Sequence, residues 1–542
     1  MPAAAVLVGV AAFAIYRTTL LPGLGAWDTA EAQTVPPLLG TMHPTGFPAF
    51  VVLGWLASVV LAPLGQPAFV ENLLAAGLIA VAAAGTVLVT GRLGAGTPVA
   101  AAAGIGFALT PITWHLSTAA DAHALHVALL VALVLALLRW ADRVAERDAV
   151  TADAGPDGAA PALLRVRADR ALVLAAAIGG VALANHGLAL LLVPPAGLYA
   201  VAVDRSLLRR PRALLLPIAT ALGIAVAFDL ELPIRAGLFR APLVYGHPET
   251  LGGFLEIVFG RQFSGGLGAT LADPGGPVSS IAAMAVGQLG PLVLLALAGL
   301  AVTARRRPAY ALLSGTAAGI SIAFAAVYPN ADIGRYYVGP AFFAWTWIAV
   351  LAGSILERLV PAIEDTAIED TETGGARPLV ADAGLDPLVA LPAARFLSAS
   401  TVVAGLAALT MLVPTAAALD VRWHAVDRSQ ERWAAQWVDD AFTVMAPDAA
   451  VVSWWSYSTP MWYAQLVEGR RTDVRVIDDR TLVDEDLGSA ADEIDALLGT
   501  RPVYVIRATE SDLQTLEQRF AIEPVGRPSE LYRVTGRLET GP

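Results

Sequence analysis

Long uncharged apolar runs, of which Asn72 to Gly91 is one, recur through the first four-fifths of this chain and constrain its fold more than any other feature. A soluble protein has no need of them. A run of about 20 apolar residues crosses the ~30 Å hydrocarbon core of a bilayer as one helix, with every backbone polar group satisfied internally. With 542 residues, 56% of them hydrophobic and 15% charged, the chain reads as a polytopic helical membrane protein.

The apolar runs fall at roughly 2 to 22, 72 to 91, 97 to 114, 122 to 138, 171 to 184, 187 to 203, 213 to 228, 280 to 304, 309 to 328, 336 to 355 and 396 to 417. The stretch from Phe47 to Leu64 is apolar as well, and whether it crosses decides the orientation of all that follows. Lys is absent, so Arg alone reports sidedness, cytoplasmic loops being the richer in positive charge. If Phe47 to Leu64 lies along the surface, the inner loops hold Arg92, then Arg139, Arg143, Arg147, Arg165, Arg167 and Arg170, then Arg205, Arg209, Arg210 and Arg212. The inner loops also hold Arg305, Arg306, Arg307, Arg358, Arg377 and Arg395, and the loops on the far side hold only Arg235, Arg240, Arg261 and Arg335. If it crosses, this bias reverses.

The expectation is therefore eleven crossings with the N-terminus in the cytoplasm, and a long first outer loop over 23–71 whose second half is a juxtamembrane helix. Ala171 to Val203 should be a tight hairpin of short helices turning at Asn185 and His186. Two inner inserts, Ala149 to Pro161 and Pro361 to Asp386, have the composition of disordered linkers. The membrane part occupies 1–417. From 418 to 542 the composition becomes that of a water-soluble domain on the outer face. There, helical patterns at Gln430 to Met445, Pro460 to Glu468, Ala490 to Leu498 and Asp512 to Phe520 alternate with strands at Ala449 to Trp455, Val474 to Ile477 and Val503 to Ile506, which suggests a small α/β domain. A net charge of -12 argues against nucleic-acid binding, and the lack of Cys excludes disulfides and thiolate metal sites.

This sidedness gathers the chemistry on one face. All seven histidines fall outside, as do the acids Asp28, Glu31, Asp121, Asp229, Glu231 and Asp332. Ionisable groups at a membrane boundary are costly unless paired or hydrated, so their concentration is a functional hint. Asp28 and Glu31 stand three apart, close enough to share a helix face. One reads as a general base, with the other positioning a hydroxyl or a metal, although the same spacing also fits a helix cap. His43-Pro44-Thr45-Gly46-Phe47-Pro48 reads as a rigid turn that shapes a site. Asp121, His123 and His126 have a spacing compatible with a divalent cation, and solvated or core histidines fit it too. Arg235 and Arg335 sit at helix boundaries, where a guanidinium can clamp a phosphate.

These residues also carry a family likeness. WDTAEAQ followed by LLGTMHPTGFPAF resembles the acidic first-loop motif and proline-rich turn of GT-C superfamily glycosyltransferases, nearest to the membrane family related to animal transmembrane protein O-mannosyltransferases. TPITWHLSTAADAHALHVAL, GGVALANHGLALLLVPP, LELPIRAGLFRAPLVYGHPET, DIGRYYVGP and SYSTPMWYAQLVEGRRTDVRVID resemble further blocks of that family in order. Asp121 stands where the family has Glu, and His123 where it has Tyr. The resemblance implies a GT-C fold and transfer of a hexose, mannose, from a polyprenyl-phosphate donor to a hydroxyl acceptor, protein Ser/Thr or a glycan, on the outer face with inversion. It implies Asp28 as base with Glu31 beside it; His43, His186, Arg235 and Arg335 at the donor; and Asp121, His123 and His126 as acceptor or metal contacts. A transporter or flippase of lipid-linked sugars is the alternative, and it requires acids buried at mid-membrane with broken helices.

Overall fold

The computed structural model describes residues 1–154, 159–261, 275–328, 332–373 and 399–538. The chain begins with α1 (Pro2–Thr19), then α2 (Trp27–Leu38) and α3 (Pro48–Val60) in the first loop. Next come α4 (Pro67–Arg92), α5 (Thr97–Ala108), the short α6 (Pro111–His115), α7 (Ala122–Ala154) and α8 (Ala159–Asn185). After a 3-10 segment over Gly187–Leu192 follow α9 (Val193–Val203), α10 (Pro211–Asp229), the single turn α11 (Glu231–Pro233) and α12 (Leu251–Phe259). Helices α13 (Gly275–Leu289), α14 (Leu292–Arg306), α15 (Pro308–Val327), α16 (Val338–Thr373) and α17 (Ala399–Ala417) complete the apolar part. Proline opens α1, α3, α4, α10 and α15, at the first-turn positions where its missing N–H leaves no bond unmade.

This is a multi-pass membrane protein. Among the described residues six helices are long and apolar enough to cross, or up to eight if each of two bent pairs is one span. The expected crossing at 280 to 304 is instead α13 and α14 meeting at 98°. Gly290, at a positive φ of 57°, and Pro291 break it, because proline disfavours a helical predecessor and Gly accepts the left-handed turn. Helix α3 has 13 residues, about 20 Å of rise, which is too short for a ~30 Å core. The chain turns at Asn185 and His186 as the sequence suggests, yet α9 packs chiefly on α15 rather than folding back as a tight hairpin on α8. Of the two expected linkers, α7 runs through Ala154 and α8 starts at Ala159, and α16 continues to Thr373, so both inserts begin as helix. The remainder, 155–158 and 374–386, lies outside the described residues.

Small residues let these helices approach closely, as is needed where lipid supplies no hydrophobic drive between them. A Cβ at Gly180 of α8 would come within 2.5 Å of the Ala221 carbonyl oxygen on α10, and one at Gly299 of α14 within 2.3 Å of the Trp347 carbonyl oxygen on α16. Helix α4 is packed among α1, α5 and α7, and its buried face is largely Ala and Val. By contrast α10 exposes Leu215, Leu216, Leu222 and Val226. That is a face for lipid.

The C-terminal part starts with α18 (Leu419–Val426) and α19 (Trp433–Val444), then alternates β1 (Ala450–Val452), α20 (Trp455–Trp462), β2 (Arg475–Ile477), α21 (Asp479–Asp484), α22 (Ala490–Leu497), β3 (Val503–Val505) and α23 (Glu510–Glu517). Two further strands, β4 (Phe520–Pro524) and β5 (Tyr532–Arg537), close it. The sheet order is β2-β1-β3-β5-β4, parallel through β3 and antiparallel beyond it. The last two strands are absent from the sequence reading because they lie toward one edge of the sheet, largely half-exposed or exposed, and carry Glu523, Pro524, Arg533, Gly536 and Arg537 in place of a continuous apolar run. The domain is not a detached module. Helix α20 packs on α2, and the Tyr463 hydroxyl accepts the Ala68 N–H at 3.1 Å.

Candidate active site

The first loop supplies the floor of the site. Neither acid of α2 caps it, since the helix N-cap is Ala26 and no side chain bonds there. Glu31 is fully buried, accepts the backbone N–H of His43 at 2.7 Å, and pairs through its other oxygen with the His43 ring Nδ1. Glu31 therefore anchors His43. The turn that carries His43 is closed by the Gly46 N–H donating to the His43 carbonyl at 2.8 Å, with Gly46 at φ 77° and Phe47 at φ 49°. Phe47 packs edge-on against both His43 and His186, each at 5.1 Å.

A second element comes from the start of α7. Asp121 accepts the His123 backbone N–H and the His123 Nδ1–H, both at 2.8 Å. A third is the 3-10 turn Ile333–Tyr337 ahead of α16, which carries Arg335. Its guanidinium reaches Asp332 at 2.7 Å and both Asp28 and Asp121 at 3.2 Å. Three carboxylates from three parts of the chain thus share one cation. The remaining Asp28 oxygen accepts the Trp455 indole N–H at 3.2 Å, so the C-terminal domain completes the site from the first residue of α20. That position follows the C-terminal end of parallel strand β1, the end at which open α/β sheets place functional groups.

These groups line one cavity of about 340 Å³. Its ionisable lining is Asp28, His43, Asp121, His123, His186 and Arg335, and its apolar lining includes Leu190, Leu191, Phe259 and Phe324. Phe324, Tyr328 and Tyr336 stack along one wall, with Phe324 and Tyr328 5.1 Å apart.

The electrostatics follow from this packing. Burial opposes ionisation of Asp28, but His43 and Arg335 outweigh it and hold the carboxyl below its ordinary range. Asp121 is depressed likewise, burial being overcome by His123 and Arg335. Burial pushes Glu31 upward in spite of His43, and burial of His43 is outweighed by Glu31, which raises the imidazole to about 9. Near neutrality Asp28 is therefore an ionised carboxylate, side-chain exposure 38%, facing the cavity beside a proton shared by Glu31 and His43.

Not every residue singled out in the sequence arrives here. Arg235 donates to the carbonyls of Leu39 at 2.9 Å and Leu38 at 3.0 Å and stacks over Phe239, so it closes the C-terminus of α2 rather than facing the cavity. His126 lies behind His186, with ring centroids 5.9 Å apart, and does not line the cavity. Asp229 and Glu231 do not line it either. Among the described residues no group of three or more His, Cys, Asp or Glu side chains is arranged to hold a metal ion. Sequence reasoning missed Trp455 and gave Asp332 no role. The only signal for Trp455 was the Trp454-Trp455 pair directly after an apolar strand.

Residues 28–208 match the N-terminal domain of the protein O-mannosyl-transferase TMEM260. No curated protein matches the chain. Among solved structures, ArnT from Cupriavidus metallidurans bound to undecaprenyl phosphate superposes with a TM-score of 0.55 at 16% identity, over 98% of this chain and 97% of that one. The archaeal oligosaccharyltransferase AglB from Archaeoglobus fulgidus, in complex with an inhibitory peptide and a dolichol-phosphate, superposes with a TM-score of 0.51 at 15% identity, over 99% of this chain and 75% of that one. The chain accordingly shares its overall fold with ArnT and AglB, and its residues 28–208 are similar to the N-terminal domain of the protein O-mannosyl-transferase TMEM260.

Proposed function

We propose that this protein is a membrane glycosyltransferase that moves a hexose, mannose, from a polyprenyl-phosphate donor to the Ser or Thr hydroxyl of a protein on the outer membrane face, with inversion at the anomeric carbon. The observation that carries the reading is Asp28, an ionised carboxylate opening into a cavity lined by both ionisable and apolar side chains. The O-mannosyl-transferase description of the matching domain supports the sugar and the acceptor. The lipid phosphates bound to ArnT and AglB support the donor.

In this reading the lipid chain lies along Leu190, Leu191 and Phe259, and the sugar and phosphate reach the ionisable groups around Asp28. Asp28 accepts the proton of the acceptor hydroxyl, whose oxygen attacks the anomeric carbon. Trp455 and Arg335 each hold one Asp28 oxygen and orient it toward that hydroxyl. The bond from the anomeric carbon to the phosphate oxygen breaks, and its electron pair leaves with the phosphate. Fixed positive groups aimed at that developing charge are the strongest lever an enzyme has, and Arg335 is the one at hand. Glu31 keeps His43 in place beside the donor.

The test is transfer from polyprenyl-phosphate mannose to a Ser/Thr peptide by purified protein. Asp28→Asn is expected to lower the rate by about 10²- to 10⁴-fold, the usual worth of a general base. Wild-type-like transfer by this variant would remove Asp28 from the role of base.

A further inference from the structure

We propose that His123, through its Nε2 atom, is the hydrogen-bond donor to the phosphate that departs with the lipid, with the His186 ring as its neighbour. This deepens the reading above and rests on it. His123 is buried, with 6% of its surface exposed, and lines the cavity, yet its Nε2 has no hydrogen-bond partner among the described residues. Buried polar atoms are nearly always partnered, so one left unpartnered in a cavity-lining side chain is an atom in reserve for a ligand.

The opposite side of the ring is fully specified. Asp121 takes the Nδ1–H and the backbone N–H at 2.8 Å, and its second oxygen is held by Arg335 at 3.2 Å. The imidazole can neither rotate nor change its Nδ1 role without breaking this chain of contacts, and so Nε2 is held in place. With Nδ1–H given to Asp121, the doubly protonated ring is the form that donates from Nε2 as well, and in that form His123 would bridge two anions, Asp121 and a phosphate oxygen. His186 reinforces the arrangement. Its Nδ1 accepts the Leu188 N–H at 3.1 Å, which leaves the proton on Nε2, and its ring lies 4.4 Å from that of His123 on the same cavity wall.

His123 also divides labour with Asp28. Arg335 bridges Asp28 and Asp121, so the base and His123 hang from the same guanidinium by different carboxylates. In the transfer the acceptor proton passes to Asp28, the acceptor oxygen bonds to the anomeric carbon, and the electron pair of the broken bond goes to the phosphate oxygen. His123 Nε2–H meets that oxygen. Arg335, already engaged by three carboxylates, does not have to meet it alone.

Two variants separate this role from mere support of Asp121. The amide of Asn reaches the place of Nδ1 and keeps the bond to Asp121, whereas the amide of Gln reaches the place of Nε2. The measurement is binding of undecaprenyl phosphate to the purified full chain in detergent. His123→Asn is expected to bind about tenfold or more weakly than wild type, as loss of a charge-assisted bond requires, and His123→Gln within about threefold of it. Wild-type affinity in His123→Asn overturns the proposal. Should His123→Asn lose its monodisperse elution, His123→Gln decides, and loss of binding in a well-folded His123→Gln also overturns it. A wild-type protein that does not bind undecaprenyl phosphate takes down the lipid-phosphate reading itself, a result independent of residue 123.

Discussion

Helix α7 carries a cluster of charge at each end, and the two clusters are built differently. His123 and Arg147 are about 36 Å apart along the helix axis. At the Arg147 end the buried charges close on one another. Arg147 bonds Asp204 at 2.7 Å and Asp148, Asp204 also accepts Arg210 at 2.8 Å and the Ser206 hydroxyl at 2.6 Å, and Arg210 bonds Asp169 at 2.9 Å. At the His123 end three carboxylates share Arg335, and the buried His123 Nε2 and His126 Nδ1 have no partner among the described residues. Charges that hold a fold are satisfied internally, whereas charges that await a ligand keep capacity in reserve. The same contrast explains why the sidedness count is informative about orientation and silent about chemistry.

The largest effect that tests the contrast is Asp28→Asn, which should lose about 10²- to 10⁴-fold in transfer while leaving the melting temperature nearly unchanged. A variant that instead unfolds would make Asp28 a structural charge like those at the far end. Next, Arg147→Met should destabilise by about 1.5–3 kcal/mol, because it removes one of the two guanidiniums that hold buried Asp204, which is 4% exposed, and leaves Arg210 alone with it. Transfer by the folded fraction should be preserved, and loss of transfer at full thermal stability would erase the distinction between the two ends. Trp455→Phe keeps the ring between His43 and Tyr245 but deletes the N–H to Asp28; roughly a tenfold fall in kcat is expected, since bonds to charged groups are worth about 1.5–3 kcal/mol. An unchanged kcat would confine the C-terminal domain to a packing role.

The smallest effect is one of pH. His43 is raised to about 9 in the fold, above its ordinary 6.5, so its contribution to stability is complete below pH 6.5 and fades as pH rises through about 9. Asp28 is depressed, so its contribution is present above its ordinary 3.8 and lost only as pH falls through its lower folded value. Transfer should therefore decline on the alkaline side near pH 9 and show no acid limb from Asp28 near neutrality. A His43→Gln protein retaining that alkaline decline would assign it to another group.

The helices were legible because each is a local matter, an apolar run that in several cases is opened by proline. Asp28, His43, Asp121, His123, His186 and Arg335 could be picked out because ionisable residues are conspicuous beside such runs, and the structure brings these six into one cavity. Arg235 looked equivalent to Arg335, each an Arg at a helix boundary. One closes the end of α2 and the other bridges three acids, and nothing within a few residues of either distinguishes them. The 98° break between α13 and α14 was written in Gly290-Pro291, yet a hydropathy run averages over it.

By itself, then, the sequence determined the solvent. Its uncharged runs require a bilayer, its Arg distribution favours one orientation, and its first-loop acids and histidines name the chemistry available. Only the tertiary structure decided which of those groups meet. Asp28 acquires its partners from residues 307 and 427 positions away, Arg335 and Trp455. Pairings over such distances depend on how helices pack and where a sheet ends, and no local propensity encodes them.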